Sequence, residues 1–375
     1  MNPLRQKIEH EIRKHGPIPF SRYMELCLYD PEYGYYSRNA AQFGKAGDFY
    51  TSSDVHAVFG RLMARQFAEM WRVLGAPERF TIHELGPGRG LFAKDVLDWS
   101  EKKFPDFFRT LRYVLSETST ALRQSMEERL AQHLQSGKAA FLTLEDGIWN
   151  SDIVFANEFF DAIPVEVLSS EGSLRIGSSN GHFVEAWVPP SDKELEFLDR
   201  YSIHPEPGER VEVPLQAQTH MSMAATIQRG FVVAIDYGYT RAEQLAGRHR
   251  GTLKAIRQHS VSENSYEAPG EQDITAEVNF TALAAAAEQG GMHAQRVVTQ
   301  CHFLMGIGEA NQFADAFEDC RLPQERAKVA LQLKHLVTPA GMGESFHVLV
   351  ASKGIAEDKV TSLAGLSFGT RQPKH

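Results

Sequence analysis

A cluster of polar and acidic side chains follows the apolar run Ile153–Phe155 at once. Asn157, Glu158 and Asp161 surround two phenylalanines in the stretch ANEFFDAIPVE. Unpaired carboxylates beside apolar surface are costly to remove from water, so such a cluster is expected to receive a cation, a metal or a hydrogen-bond donor. The cluster is therefore a candidate reaction site.

A second candidate site is a glycine-rich turn in FTIHELGPGRGLFAKDVL, with glycine at positions 86, 88 and 90. Glycine lets a ligand approach the backbone, and the N-terminus of the following helix offers free N–H groups to a carboxylate or phosphate. The GxGxxG spacing of dinucleotide sites is absent, because Leu91 stands where its last glycine would be, and no GxxxxGK[ST] occurs. The observed form ExGxGxG, which begins at Glu84, matches proteins that bind S-adenosylmethionine.

This ligand predicts roles for several residues. Glu84 would reach the ammonium region of the ligand, and Gly86, Gly88 and Gly90 would pass its methionine portion. Glu117, in YVLSETS, stands after the second strand, where an acid that holds the ribose hydroxyls is expected. The alternative is a glycine turn that only packs a strand against a helix, and Glu117 argues against it.

A third acid, Asp146, closes the stretch AFLTLED. It is a candidate for the adenine end of the same ligand. The alternative on residue type is an acid that solvates a loop or caps a helix.

The elements that must position these residues alternate along the chain. After Phe80, apolar runs and helical patterns follow in the order strand, helix, strand, helix, strand, and DIVFANE adds a fourth strand. This order predicts a parallel sheet with helices on both faces. GFVVAIDYG, HAQRVVTQ and SFHVLVASK predict three more strands, and Asn279 is a predicted N-cap of the helix FTALAAAAEQGG. We therefore expect an α/β fold with a seven-stranded sheet.

Other segments lie outside this alternation. We predict an N-terminal helical cap or lid at residues 1–78, a main domain at 79–353 and a C-terminal tail at 354–375. Within the main domain, turn-forming dipeptides predict a β-hairpin insertion at about 165–225. A helical pattern predicts a second insertion at about 306–343.

Composition restricts the class of protein. The chain has 375 residues, 42% of them hydrophobic, and a net charge of -9, which favours a cationic partner over nucleic acid or an anionic membrane. Three dispersed cysteines without a CxxC pair, and histidines without HExxH, predict no metal site. Neither a signal peptide nor a run of about 18 apolar residues occurs, so we expect no membrane span and a cytoplasmic location.

An ordered series of sequence blocks resembles one known family. The blocks are GPIPFSRYMELCLYDPEYGYY, FGKAGDFYTSSDVHAVFG, HELGPGRG, NEFFDAIPVE, DYG, GTL with PGEQDIT, and GMGESFHVL. They resemble the mitochondrial complex I assembly factor 7 family and its bacterial MidA-like relatives, S-adenosylmethionine-dependent methyltransferases that include a protein arginine methyltransferase. The resemblance implies a class I methyltransferase fold, which is Rossmann-like, with an N-terminal cap. No mitochondrial targeting segment precedes the first block, so we expect a bacterial relative.

The acidic cluster can then be interpreted. Ligands of open α/β sheets bind beyond the carboxyl ends of the strands, so Asn157, Glu158 and Asp161 should face the transferable methyl group. Paired carboxylates can hold the N–H fork of a guanidinium, and Phe159 and Phe160 can pack beside the flat cation. We predict methylation of an accessible arginine in a protein, with the three polar residues as catalytic residues. On residue type alone, Asn157 fits a helix cap, Asp161 fits a turn, and the phenylalanines fit a core.

More segments are expected to border this site. Asp236 and Tyr237 are predicted to line the substrate channel with Phe159, and an ordinary turn is their alternative. Asp48 and Thr51 are predicted cofactor ligands in a lid, with helix capping at the surface as the alternative for residues Thr51 to Asp54. The remaining candidates at the lid and in a third loop are Tyr35, Tyr36, Gln272, Asp273 and Thr275.

Two other functions fit the same residues. An asparagine followed by aromatic residues after the fourth strand also occurs in enzymes that methylate amino groups of small molecules or nucleic-acid bases, although the net charge argues against nucleic acid. The other is an assembly factor that binds the cofactor without turnover. Glu158 and the intact cofactor turn favour catalysis. No sequence feature indicates an oligomeric state.

Overall fold

The structure is a computed structural model, and it describes residues 2–38, 57–143, 148–257, 260–262 and 264–369. The strands in these residues are β1 (Ile18–Pro19), β2 (Phe80–Leu85), β3 (Leu111–Ser116), β4 (Ala139–Phe141), β5 (Ile153–Asn157), β6 (Glu166–Ser169), β7 (Gly172–Ser179), β8 (His182–Val188), β9 (Arg210–Val213), β10 (Gly230–Tyr239), β11 (Lys254–Arg257), β12 (Ser260–Ser262), β13 (Asp273–Thr275), β14 (Val278–Asn279), β15 (His293–Ala294), β16 (Val298–Thr299) and β17 (Phe346–Lys353).

Helices connect and cover these strands. They are α1 (Pro3–His15), α2 (Phe20–Tyr29), α3 (Tyr35–Arg38), α4 (Ala57–Val73), α5 (Leu91–Lys103), α6 (Pro105–Thr110), α7 (Thr120–Arg129), α8 (Ala131–Gln135), α9 (Asp192–Tyr201), α10 (Leu215–Ala224), α11 (Arg241–Leu245), α12 (Phe280–Gln289), α13 (Gln300–Glu309), α14 (Ala314–Phe317), α15 (Pro323–Val337) and α16 (Glu357–Thr361).

The main sheet has the order β4-β3-β2-β5-β10-β17. Strands β2, β3, β4, β5 and β10 are parallel, and β17 is antiparallel to β10. The segment HAQRVVTQ forms two short strands, β15 and β16, on the outer edge of β17, and the short β14 pairs with the end of β10. The predicted α/β fold is therefore confirmed. The difference is that the sixth predicted strand is broken into two pieces and a short extra strand is added.

Both faces of the main sheet are buried, as is usual for parallel strands that read as continuous apolar runs. One face packs against α4, α5 and α13, where the ring of Phe92 stacks on Phe155 with 4.7 Å between centroids. The other face packs against α10 and α12. The carboxyl ends of β2, β3, β5 and β10 therefore meet at one edge of the sheet, where the candidate site residues lie.

The N-terminal helices pack on a second sheet. In this sheet β7 lies between β8 on one side and β6 and β1 on the other, and β9 pairs with β6. Helices α1 and α2 share one hydrophobic cluster with β6, β7 and the small sheet β12-β11-β13. In contrast, α4 packs on the main sheet. We therefore propose that the cap ends before Ala57, earlier than the sequence predicted, and that it forms one unit with the β insertion.

The helical segment and the C-terminal residues also pack on the main sheet. Phe303 of α13 and Leu336 of α15 are buried in the same cluster as α4. The backbone N–H of Gly365 donates to Gln66 Oε1 at 2.9 Å. The described part of the predicted tail is therefore a docked segment. No helix among the described residues is both long and apolar enough to cross a membrane.

Candidate cofactor and acceptor site

The glycine turn links β2 to α5 and has an open side. Gly86, Gly88 and Gly90 all have positive φ angles, 61°, 52° and 71°, which glycine adopts without steric cost. A Cβ at Gly86 would stand 2.8 Å from the ring of Phe159. A Cβ at Gly88 would meet no described atom within 4 Å. The turn therefore leaves room for a ligand at Gly88, and α5 begins beside it without a side-chain cap.

Glu84 lies in β2, just before the glycine turn. It is only 3% exposed, and its Oε2 atom has no hydrogen-bond partner among the described residues. Burial raises the pKa of Glu84 to about 8, and the neighbouring Tyr113 hydroxyl opposes part of this shift. A buried oxygen without a partner fits an incoming ammonium group. The residues around the turn therefore fit the predicted cofactor.

Glu117 follows β3, the neighbour of β2 in the sheet. Burial raises its pKa to about 7, and the backbone N–H of Ser119 donates to Oε1 at 2.8 Å. The Ser119 hydroxyl donates to the carbonyl oxygen of Tyr36 at 2.8 Å, so the cap contacts this loop directly. Three other predicted cofactor ligands, Asp48, Thr51 and Asp146, lie outside the described residues.

The acidic turn begins at the end of β5. Asn157 is the last residue of that strand, so the helix-cap alternative does not apply to it. Glu158 has φ 49°, a left-handed conformation that is uncommon for a residue with a Cβ. Its backbone N–H donates to the carbonyl oxygen of Ile235 at 2.9 Å, and Asn157 Nδ2 donates to Glu158 Oε1 at 3.2 Å. The two polar side chains are thus already in contact.

Asp161 ends the acidic turn as a buried acid. It is 6% exposed, and its Oδ1 atom has no partner among the described residues. Burial raises its pKa to about 6, and the Tyr237 hydroxyl beside it opposes part of this shift. The hydroxyl of Thr275, which is 2% exposed, lies beside the same Tyr237 hydroxyl but also lacks a hydrogen bond of full geometry among the described residues. Hydrogen-bonding capacity is therefore left unused on this side of the turn.

Asp236 supports the acidic turn from β10. Its Oδ2 atom accepts the backbone N–H groups of Phe159, Phe160 and Asp161, and its Oδ1 atom accepts that of Tyr237 at 3.0 Å. The side chain is 0% exposed. The structure thus gives Asp236 contacts with the turn itself, where the sequence predicted a position in the substrate channel. The channel positions of Phe159 and Tyr237 stay predictions.

The two neighbouring phenylalanines have different environments. Phe160 is buried in the cluster between the main sheet and α10 and α12, as the core alternative has it. Phe159 is half-buried and lies against Gly86, with an edge contact to His220 at 5.8 Å between ring centroids. Phe159 therefore joins the acidic turn to the glycine turn.

Tyrosines of the cap contact two segments that adjoin the acidic turn. The Tyr36 hydroxyl donates to Asp273 Oδ1 at 3.0 Å, and the Tyr29 hydroxyl donates to the carbonyl oxygen of Ala162 at 2.9 Å. Burial raises the pKa of both tyrosines well above the usual range. Tyr29 and Tyr113 were not among the predicted site residues, because each occupies an apolar position of its helix or strand and resembles a core residue. The nearby block YDPEYGYY was the available signal for Tyr29.

Comparison with known proteins identifies the family. A family model described as "Putative S-adenosyl-L-methionine-dependent methyltransferase" matches residues 62–298. The chain belongs to this family. It is a methyltransferase that uses S-adenosylmethionine as its methyl donor, and the predicted resemblance is confirmed.

Relatives of this methyltransferase cover nearly its whole length. The Drosophila melanogaster protein arginine methyltransferase NDUFAF7 homolog, mitochondrial, is 31% identical, over 94% of this chain and 85% of the relative. The Homo sapiens protein arginine methyltransferase NDUFAF7, mitochondrial, is 26% identical, over 92% of this chain and 82% of the relative.

A solved structure supports the cofactor assignment. A Burkholderia thailandensis protein, in a crystal structure bound to S-adenosyl-homocysteine, superimposes with a TM-score of 0.83 and 27% sequence identity. The match covers 97% of this methyltransferase and 94% of that chain.

Proposed function

We propose that this methyltransferase methylates a guanidinium nitrogen of an arginine side chain in a protein. The observation that carries the proposal is a cluster of buried oxygen atoms that lack a hydrogen bond of full geometry among the described residues. They are Asn157 Oδ1, Asp161 Oδ1 and Thr275 Oγ1, and the Tyr237 hydroxyl lies beside the last two. A guanidinium has five N–H donors and no acceptor, so it would satisfy such atoms. The names of the fly and human relatives, both protein arginine methyltransferases, support the same substrate.

The acidic turn would hold the acceptor. Glu158 and Asp161 would accept charge-assisted hydrogen bonds from two sides of the guanidinium. Asn157, which donates to Glu158 Oε1, would orient that carboxylate. Phe159 would pack beside the flat cation and keep water out, and Tyr237 would border the same pocket.

The cofactor would be held at the neighbouring turn. Glu84 would bind its ammonium group, and the open backbone at Gly88 with the start of α5 would receive its carboxylate. The Glu117 carboxylate would accept hydrogen bonds from the ribose hydroxyls. Asp48, Thr51 and Asp146 stay predicted ligands of the same cofactor.

Catalysis would depend mainly on positioning. The bound cofactor supplies a methyl group on a sulfonium sulfur. The chain would hold the guanidinium nitrogen in line with that methyl group, at about 3 to 3.5 Å. The pKa of a free guanidinium is above about 12, so the nitrogen loses its proton only as the new N–C bond forms. Asp161, whose pKa is raised to about 6, can accept that proton.

The net charge of the chain bears on the class of partner that carries the acceptor. A chain with a net charge of -9 suits a protein partner that presents a cationic side chain, and it does not suit nucleic acid. We propose that the acceptor is an accessible arginine of a protein in the cytoplasm.

The test is transfer of labelled methyl from S-adenosylmethionine into a size-fractionated extract of the source organism. Wild type is compared with Glu158→Gln, and Glu171→Gln serves as a matched control because Glu171 is exposed in a turn of the second sheet. Mass spectrometry then locates the label. We expect label on arginine, lost with Glu158→Gln and kept with Glu171→Gln.

Other results would contradict this proposal. Full transfer by folded Glu158→Gln would exclude the carboxylate clamp. Label in a small-molecule or nucleic-acid fraction would replace arginine with another acceptor. Binding of the cofactor without any transfer would favour an assembly factor.

A further inference from the structure

We propose that Asp236 is a positioning residue for methyl transfer, which keeps the acidic turn in the conformation that presents Glu158 and Asp161. The inference rests on the proposed function, because it assigns a task within the same site. The evidence for this role of Asp236 is the backbone conformation of the turn, which does not depend on what the acceptor is.

The turn has a conformation that it would not adopt alone. Glu158 has φ 49° and is followed by three residues whose N–H groups point toward one place. A non-glycine residue in this region is sterically unfavourable, and it persists only when surrounding contacts hold it. Something must therefore hold residues 158–161.

Asp236 supplies that contact. Its Oδ2 atom accepts the N–H groups of Phe159, Phe160 and Asp161 at 3.1, 3.0 and 3.3 Å. Successive N–H groups of this kind form a concave site for an acceptor, and here the acceptor is a carboxyl side chain of the same protein. The pairing of β10 with β5, which sets Ile235 opposite Asn157, brings Asp236 to the turn.

The surroundings of Asp236 disfavour its charged form, and the backbone N–H groups of the turn oppose that effect. Burial, Asp161 and Glu158 all raise its pKa, so its charge is unfavourable in this place. The backbone N–H groups of Phe160 and Asp161, which donate to this carboxyl group, lower its pKa again. Asparagine would keep one acceptor oxygen but turn an NH2 group toward backbone donors. The substitution Asp236→Asn should therefore release part of the turn.

The chain offers a matched control at the opposite edge of the sheet. Asp152 lies just before β5, and its Oδ2 atom accepts the backbone N–H of Thr81 at 2.8 Å. Asp152→Asn is thus the same chemical change, at an aspartate that also accepts a backbone N–H. It does not touch the acidic turn.

The experiment measures turnover and cofactor binding separately. Labelled methyl transfer into the protein fraction of the source extract gives the turnover rate and the KM for S-adenosylmethionine, and calorimetry gives the Kd for S-adenosylhomocysteine. For Asp236→Asn we expect at least a tenfold loss of turnover, with KM and Kd within about threefold of wild type. Asp152→Asn should keep wild-type turnover.

Two results would overturn the inference. One is wild-type turnover by Asp236→Asn, and the other is an equal loss by Asp152→Asn. If Asp236→Asn does not fold, hydrogen exchange of the wild type decides. Slow exchange at Phe159–Asp161 supports the inference, and exchange as fast as in the exposed turn at Ser170–Glu171 overturns it.

The outcome is separable from that of the arginine proposal. Label on an acceptor other than arginine would contradict the proposed function. It would leave the effect of Asp236→Asn on turnover and on amide exchange to be judged by the same criteria.

Discussion

The glycine turn and the acidic turn solve the same geometric problem in different ways. They follow β2 and β5, which are neighbours in the sheet, and both need backbone with positive φ. The glycine turn uses residues that adopt this conformation freely. The acidic turn instead has Glu158 at φ 49°, and a carboxylate from β10 holds the residues that follow. One turn is built locally, and the other depends on a distant residue.

This difference suits the two ligands. A cofactor that contacts the backbone needs a turn without side chains. An acceptor that is held by carboxylates needs side chains at the same kind of place, so the chain accepts local strain there. Strain of this type is common where catalytic side chains must be presented.

The largest expected effect comes from Glu84→Gln, which separates the two turns. The substitution removes the carboxylate that would face the cofactor ammonium group, and charge-assisted hydrogen bonds contribute roughly 1.5–3 kcal/mol. Affinity for S-adenosylhomocysteine, measured by calorimetry, should fall roughly 10- to 100-fold. Glu128→Gln, at an exposed position of α7, is the control. If Glu84→Gln binds as tightly as wild type, this carboxylate does not contact the cofactor.

The same contrast explains what could be predicted from sequence. The ExGxGxG pattern and the alternation of strands and helices are local, so the glycine turn and the α/β fold were predictable. The partner of the acidic turn, Asp236, lies on a later strand, and only the pairing of β10 with β5 brings it there. The motif DYG predicts that Asp236 lies at the end of a strand, but it does not predict which groups Asp236 contacts.

Local sequence patterns also do not predict which surface each apolar residue packs against. Phe159 and Phe160 are identical neighbours, yet one lies on the glycine turn and the other is in the core. Helix α4 has the same amphipathic pattern as a cap helix, and its assignment to the main sheet depends on which apolar surface covers it.

The second prediction concerns the contact between Gly86 of the glycine turn and Phe159 of the acidic turn. Gly86→Ala would place a Cβ 2.8 Å from the ring of Phe159, in addition to the strain of φ 61°. We expect a loss of about 1–3 kcal/mol in the free energy of unfolding, measured by urea denaturation. Gly88→Ala has similar φ but meets no described atom, so its loss should be smaller. Equal losses would mean that Phe159 yields freely and the turns are independent.

The third prediction uses the raised pKa values of Glu84 and Glu117, about 8 and about 7. Because ionised carboxylates bind the ammonium and hydroxyl groups of the cofactor, affinity should rise with pH between 6 and 8. The expected change is at most about tenfold per pH unit for each group. Calorimetry at several pH values measures it, and Glu84→Gln should flatten the profile. Affinity that falls over this range would contradict the assignment.

The same two pKa shifts also affect the stability of the ligand-free protein, which should change with pH in the opposite direction to cofactor affinity. Folding holds a proton on Glu84 that the unfolded chain releases near pH 4.5. The unfolded state therefore binds fewer protons between about pH 4.5 and 8, and the stability of the ligand-free protein should fall as the pH rises. Cofactor binding should partly remove this loss.

The smallest expected effect tests whether the acidic turn is strained. Glu158→Gly would relieve the unfavourable φ at that position, and we expect a gain of about 1 kcal/mol in the free energy of unfolding together with loss of methyl transfer. Asn180→Gly is the control, because Asn180 has φ 50° in the exposed turn between β7 and β8 and asparagine tolerates this region. It should gain less. If Glu158→Gly gains nothing, Asp236 holds a turn that has no strain to offset, and its role would be limited to the direction of the N–H groups. Equal gains would mean that Glu158 is no more strained than an asparagine in an exposed turn.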